Sequence, residues 1–210
     1  VIQELERQEV LDNTFLLVIT DNGRPFPRCK TRVNVDGVKT PFIVRFPSQV
    51  EQGVTSDSLV STVDIGPTIL DLAGVRIPDS LQGVSLKPVL LDPETEVRKY
   101  AFAEHNWHDY RAYERAIISP DYLLIKNWAP ELQGTPPADA VRSPTYREMN
   151  RLLEANQLDE KLVSLFSTPR PEIELYAWRE DLNCLDNLNR DENRRAVTEK
   201  LLGELSLWQS

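Results

Sequence analysis

Hydrophobic and polar positions follow two different rhythms along this chain, and the change comes near Tyr100. In the first part, Val1 to Asn13 predicts a helix: Ile2, Leu5 and the pair Val10-Leu11 share one face, with Glu and Arg on the other. Five apolar residues in a row, Phe15 to Ile19, predict a strand buried on both faces, the kind found inside a parallel sheet. A helix leading into such a strand is half of a βαβ unit and implies a preceding strand outside this sequence. Thr40 to Pro47 predicts a second short buried strand, with proline near each end. Asp64 to Gly74 predicts a helix capped by Asp64, with Pro67 in its first turn, Gly74 as its stop, and Ile65, Ile69 and Leu72 as its stripe. Gln82 to Leu91 reads as a turn and a short apolar segment.

Beyond Tyr100 the strands are short. Tyr100 to Glu104, Arg115 to Ser119, Asp121 to Lys126 and Glu174 to Trp178 predict a small antiparallel sheet, with a tight turn at Ser119-Pro120. Ala129 to Thr145 is a proline-rich loop long enough to need a surface or a function. Tyr146 to Ala155 and Asp159 to Phe166 predict helices. A last helix, Asn193 to Trp208, presents Val197, Leu201, Leu205 and Trp208 on one face to cover the small sheet. The expected architecture is therefore α/β, with residues 1–98 forming part of a large α/β domain and 99–210 a small α+β subdomain.

Composition excludes several classes of function. A net charge of −9 without a basic run argues against nucleic acid as a partner, and no apolar run is long enough to span a membrane. At 210 residues, one good core needs no disulfide, so Cys29 and Cys184 are expected as free thiols; their spacing matches no metal motif. The chain starts at Val1 with no signal peptide, and a segment upstream is expected to have been removed.

Chemistry concentrates after the first strand. The apolar run stops on Asp21-Asn22-Gly23, so a carboxylate and an amide oxygen stand at a strand's carboxyl end, where open α/β sheets bind ligands. Oxygen donors suit a hard cation such as calcium or magnesium, and Lys30 can bring an ammonium to an anion drawn by that cation. The same tripeptide is also a common turn. A hairpin is disfavoured, because Arg24-Pro25-Phe26-Pro27 follows. His105 and His108, three apart after a strand, read either as polar surface, as a metal pair or as substrate contacts. Trp107 and Tyr110 can stack on a sugar ring or simply pack. Arg24 and Arg28 read as solvated loop residues or as contacts to a second anionic group.

The order of several motifs resembles the C-terminal half of a sulfatase of the alkaline-phosphatase-like superfamily. They are Asp12-Asn13-Thr14, Thr20-Asp21-Asn22-Gly23, Pro41-Phe42-Ile43-Val44, Asp64 through Val75, Gln82 through Leu86, Glu174-Leu175-Tyr176 and Asp186-Asn187-Leu188. The proline-bracketed loop from Asp21 to Pro27, with Ser143 to Tyr146, is similar to the sulfamidases, or heparan N-sulfatases. The resemblance implies a sulfatase sheet with flanking helices followed by a small α+β subdomain with an antiparallel sheet and a C-terminal helix. It implies Asp21 and Asn22 as two calcium ligands and Lys30 as the basic residue holding the sulfate group. His108, with His105 and Arg24 behind it, is the candidate sugar contact.

The same resemblance implies a formylglycine nucleophile made within Cys/Ser-x-Pro/Ala-x-Arg, and neither Cys29 nor Cys184 stands in that motif. The expected partners are thus a sulfated saccharide and an N-terminal half of the enzyme carrying the nucleophile and the remaining ligands. The expected activity is hydrolysis of a sulfamate or sulfate ester of a glycosaminoglycan-type sugar, with none by these residues alone. Periplasm and lysosome both suit the family. Two alternatives remain at this point: a non-catalytic glycan-binding remnant, and a phosphoryl-transfer relative, which usually carries histidine where Asn22 stands and prefers transition metals.

Overall fold

The computed structural model describes residues 1–210. In chain order the elements are α1 (Ile2–Arg7), β1 (Leu16–Ile19), α2 (Val35–Val38), β2 (Phe42–Arg45), α3 (Ile65–Leu72), α4 (Lys87–Leu91), β3 (Ala101–Trp107), β4 (Arg111–Ile118), β5 (Leu123–Asn127), α5 (Ala138–Val141), α6 (Pro144–Glu154), α7 (Glu160–Val163), β6 (Ile173–Tyr176) and α8 (Arg195–Gln209). Helices and two antiparallel sheets thus make up an α/β chain. It divides into two compact units, Val1–Ile19 with Pro41–Ala101, and Thr20–Thr40 with Phe102–Ser210.

In the first unit, β1 and β2 form a two-stranded antiparallel ladder, with Val18 opposite Ile43. This corrects the expectation of a parallel strand buried on both faces: Val18 is 51% and Ile43 60% exposed. β1 has β2 as its single ladder partner, and the paired Val18 and Ile43 side chains face outward together. The long first helix is also shorter than its pattern suggests. α1 ends at Arg7, Glu9 turns to a positive φ of 58°, and a 3₁₀ turn at Leu11–Asn13 leads to β1. α3 starts at Ile65 with Asp64 as its N-cap residue, as expected, but the Asp64 side chain closes a capping box with Ser61 in the preceding 3₁₀ turn instead of bonding the amides of α3. Asp64 is fully buried. Its carboxylate accepts from the backbone N–H of Ser61 at 2.8 Å and of Val84 at 2.9 Å, and it pairs with Arg98. Those bonds tie α3 to the turn ahead of α4, and Gly83 allows it: a Cβ there would lie 2.0 Å from the carbonyl oxygen of Val63.

In the second unit the sheet runs in the order β3-β4-β5-β6, with β4, β5 and β6 antiparallel in sequence. Ala116, Ile117, Leu123, Leu124 and Leu175 are excluded from solvent, so β5 is buried on both faces. α8 packs on β4 and β5 through buried Leu201 and Leu205, as its stripe predicts. Trp208 at its end stacks on Phe102, with ring centroids 4.8 Å apart. Both cysteines are free thiols. No helix is long and apolar enough to cross a membrane.

Candidate functional site

The loop from Thr20 to Thr40 belongs to the second unit and is built backbone against backbone. The Gly23 amide donates to the Gly37 carbonyl at 3.3 Å, and a Cβ on Gly23 would stand 2.2 Å from the Asp36 oxygen. Only glycine fits that approach. The Arg24 carbonyl accepts from the amides of Phe26 at 2.8 Å and Lys30 at 2.9 Å, closing the loop under the two prolines. Arg28 and Thr31 on either side of Lys30 take positive φ angles of 67° and 70°. Backbone bent this tightly fixes where each side chain leaves the loop.

Lys30 is the centre of the charged groups. Its ammonium donates to Asp139 Oδ2 at 2.9 Å, and Asp139, Asp109 and Asp21 all favour its charged form, holding its pKa above the ordinary lysine value. Asp139 is itself anchored, with Oδ1 accepting from the Ala140 amide at 2.8 Å, and the ion pair holds its carboxyl below the usual range. Asp109 Oδ2 accepts from the Ala138 amide at 2.6 Å and stands 3.3 Å from His108 Nδ1. The proline-rich segment thus carries α5 to the loop, and a continuous polar chain runs from His108 through Asp109 and α5 to Lys30.

Asp21 is exposed and Asn22 half-buried. Asn22 Nδ2 donates to the Gly23 carbonyl at 2.7 Å, which leaves Oδ1 as the free end of the amide. Adjacent carboxylate and amide oxygens have the donor chemistry a calcium ion takes, and fit as part of such a site. The structure has no group of three or more His, Cys, Asp or Glu side chains placed to hold a metal. Two donors fall short of the six to eight calcium needs. Arg24 is exposed, and it organises the loop through its main chain.

His105 parts company with His108. It stands 4.0 Å from Glu114 Oε2 in a buried cluster, where loss of solvent pushes its pKa below the ordinary imidazole value. At the centre of that cluster, fully buried Glu114 receives Arg32 at 2.6 Å and Arg170 at 2.5 Å on one oxygen. Burial pulls the Arg32 guanidinium down from its ordinary value. Arg28 donates to the Cys184 carbonyl at 2.5 Å and lies over the Tyr176 ring. These anchors pin the loop's second half to the sheet, on either side of Lys30. Sequence reasoning missed Asp109, Asp139 and Glu114. The one local signal for the last was an acid inside an apolar strand, Glu114 ahead of Arg115-Ala116-Ile117-Ile118.

Comparison with known proteins closes the assignment. The family model described as N-sulphoglucosamine sulphohydrolase, C-terminal, matches residues 30–161. An ulvan-active sulfatase of Formosa agariphila is 31% identical over 210 residues, covering 99% of this chain and 35% of that protein. Human N-sulphoglucosamine sulphohydrolase is 27% identical over 220 residues, covering 100% of this chain and 44% of that protein. Among solved structures, a protein in complex with its substrate D-glucosamine-2-N,6-O-disulfate superposes with a TM-score of 0.68 at 22% identity, over 99% of this chain and 36% of that one. The chain therefore spans less than half the length of each of these relatives. On the strength of a match across more than half its length, this chain belongs to the N-sulphoglucosamine sulphohydrolase C-terminal family of sulfatases.

Proposed function

We propose that this chain is the C-terminal portion of a sulfatase that hydrolyses the sulfamate or sulfate ester of a glycosaminoglycan-type sugar, and that these 210 residues alone do not turn substrate over. The observation that carries the reading is the Lys30 cluster: one ammonium, held by Asp139, beside the Asp21-Asn22 loop. An ammonium has three N–H groups. Asp139 takes one, which leaves two for sulfuryl oxygens. Asp21 and the free Oδ1 of Asn22 would hold a calcium ion, whose positive charge would stabilise charge developing on those oxygens. His108, braced by Asp109, and exposed Arg24 are available to the sugar. His105, turned into the Glu114 cluster, is a support for the site in this reading rather than a sugar contact. No cysteine or serine of the sequence begins a Cys/Ser-x-Pro/Ala-x-Arg motif, so the nucleophile has no source among these residues.

The test is a pair of measurements on the purified chain. Turnover of glucosamine-2-N-sulfate and of an aryl sulfate is expected at the uncatalysed rate; measurable hydrolysis overturns the claim of inactivity. Binding of glucosamine-2-N-sulfate, followed by NMR with calcium present, is expected to weaken about tenfold in Lys30→Ala, the loss of one charge-assisted contact. Unchanged binding removes Lys30 from the site. Tighter binding of a phosphate ester with zinc or manganese would favour the phosphoryl-transfer alternative.

A further inference from the structure

The sheet of the second unit has a second chemical face. Side chains alternate along β4, so Glu114 and Ala116 point one way and Tyr113 and Arg115 the other. Arg115 lies opposite Lys126, and the Trp128 amide donates to the Tyr113 carbonyl at 2.8 Å, which extends the pairing one step past β5. Two aromatic rings and two cations therefore meet in a block on the face away from Glu114. The Tyr113 and Trp128 rings stack with centroids 5.8 Å apart and planes 27° from parallel. The Lys126 ammonium stands 3.7 Å from the Trp128 ring centroid, and the Arg115 guanidinium 4.9 Å from that of Tyr113. α8 packs on the same two strands yet leaves both rings exposed, Tyr113 by 43% and Trp128 by 44%.

Beside the rings is an open cavity of about 300 Å³, lined among others by Asn106, Arg111, Tyr113 and Glu131. That is at the small end of sites for small organic molecules. The two exposed rings stack on each other, so they form one contiguous aromatic patch rather than scattered side chains. Lys126 holds positive charge over the Trp128 ring at the rim of this apolar floor, and Arg111 adds a second cation in a chain whose net charge is −9; Arg115, paired with Glu104 at 3.2 Å and bonded to Asn106 at 2.8 Å, braces the Tyr113 ring. An apolar peptide would have no use for that charge. A sugar ring offers C–H groups to the aromatic floor and hydroxyls to Asn106 and Glu131, while sulfate groups meet the cations.

We propose that Tyr113, Trp128, Lys126 and Arg111 form a second docking surface for an anionic saccharide chain, separate from the Lys30 loop. Its ligand class follows the function proposed above, but its residues do not depend on that reading. Glu114, which holds Arg32 of the loop, lies on the opposite face of the sheet.

The experiment is titration of the full 210-residue chain with an N-sulfated glucosamine-containing tetrasaccharide and its desulfated counterpart, by calorimetry. Variants Trp128→Ala and Lys126→Gln are each expected to lower affinity for the sulfated tetrasaccharide about fivefold to tenfold. The sulfated monosaccharide response of Lys30 is expected to stay unchanged in both. Thermal midpoints check folding, and Trp128→Phe, which keeps a ring, should restore most of the binding. Lys30→Ala separates the two ideas. If it loses monosaccharide binding while Trp128→Ala leaves tetrasaccharide affinity intact, the docking surface is wrong and the function stands. If Trp128→Ala alone weakens binding, the surface stands and the Lys30 reading fails. No binding by the wild-type chain at millimolar tetrasaccharide, equal affinity for the desulfated one, or equal affinity for a single-stranded oligonucleotide would each overturn the surface as a sulfated-sugar site.

Discussion

Replacing Glu114 by Gln removes one charge and almost no volume, so it isolates the electrostatic role of the cluster behind the loop. Glu114 is completely buried and takes Arg32 at 2.6 Å and Arg170 at 2.5 Å. The side chain of Arg170 is 6% exposed and that of Arg32 14%, so neither guanidinium can recover its hydration in place. Removing one partner of a buried ion pair costs about 3–5 kcal/mol, because the remaining charge stays desolvated. Arg32 can move partly outward, which favours the lower end, about 3 kcal/mol. For a chain of this size that is roughly 6–12 °C in Tm. Chemical denaturation monitored by tryptophan fluorescence measures it directly. A triple replacement, Glu114→Leu with Arg32→Met and Arg170→Met, should regain most of the loss, since a packed apolar trio avoids the desolvation altogether. A loss below about 1 kcal/mol in Glu114→Gln would refute the assignment of Glu114 as the buried counter-ion. The same variant should also weaken sulfated-sugar binding, because Arg32 anchors the loop two residues from Lys30.

Other consequences follow from single contacts. Gly23→Ala pushes a Cβ to 2.2 Å from the Asp36 carbonyl oxygen and should cost about 1–3 kcal/mol as the loop shifts, read as a lower denaturation midpoint. Burial raises the Cys184 thiol to about 11 and leaves it 1% exposed. Iodoacetamide at pH 8 should therefore label half-exposed Cys29 first, with Cys184 labelled only on unfolding, as mass spectrometry of the peptides will show. His105 has its pKa depressed from 6.5 by burial, so the unfolded chain binds more protons just below that pH. The His105 contribution to stability is fully present above its ordinary value and is lost as pH falls below it, and His105→Gln should flatten that part of the decline in Tm at mildly acidic pH. Asp139→Asn removes the carboxylate that raises the Lys30 pKa, so the Lys30 ammonium, followed by NMR, should titrate at lower pH than in the parent chain.

What the sequence revealed divides by range. Elements set by local rhythm were legible: α8 from its Val197-Leu201-Leu205 face, the short strands of the second unit from β-branched runs, and the stop after β1 from Asp21-Asn22-Gly23. Pairing was not. Nothing between Phe15 and Ile19 says which strand lies beside it, and an apolar run reads the same whether it is flanked twice or once. Asp64 looked like a simple cap because capping is local, whereas its ion pair with Arg98 spans 34 residues. Lys30 was legible as a cation near an anion site, but Asp139 lies 109 residues away in α5, a single helical turn inside a proline-rich segment with no periodic signal. The loop cluster is assembled by long-range contacts of this kind, so its membership emerged only from three dimensions.

The most direct test of the central claim is a crystal structure of these residues joined to the proposed N-terminal half of the enzyme, grown with calcium and glucosamine-2-N-sulfate. The account predicts a cation about 2.3–2.6 Å from Asp21 carboxylate and Asn22 Oδ1, with a sulfuryl oxygen about 3 Å from Lys30 Nζ. Calcium bound elsewhere, or a sulfate seated away from a Lys30 still paired only with Asp139, would contradict it.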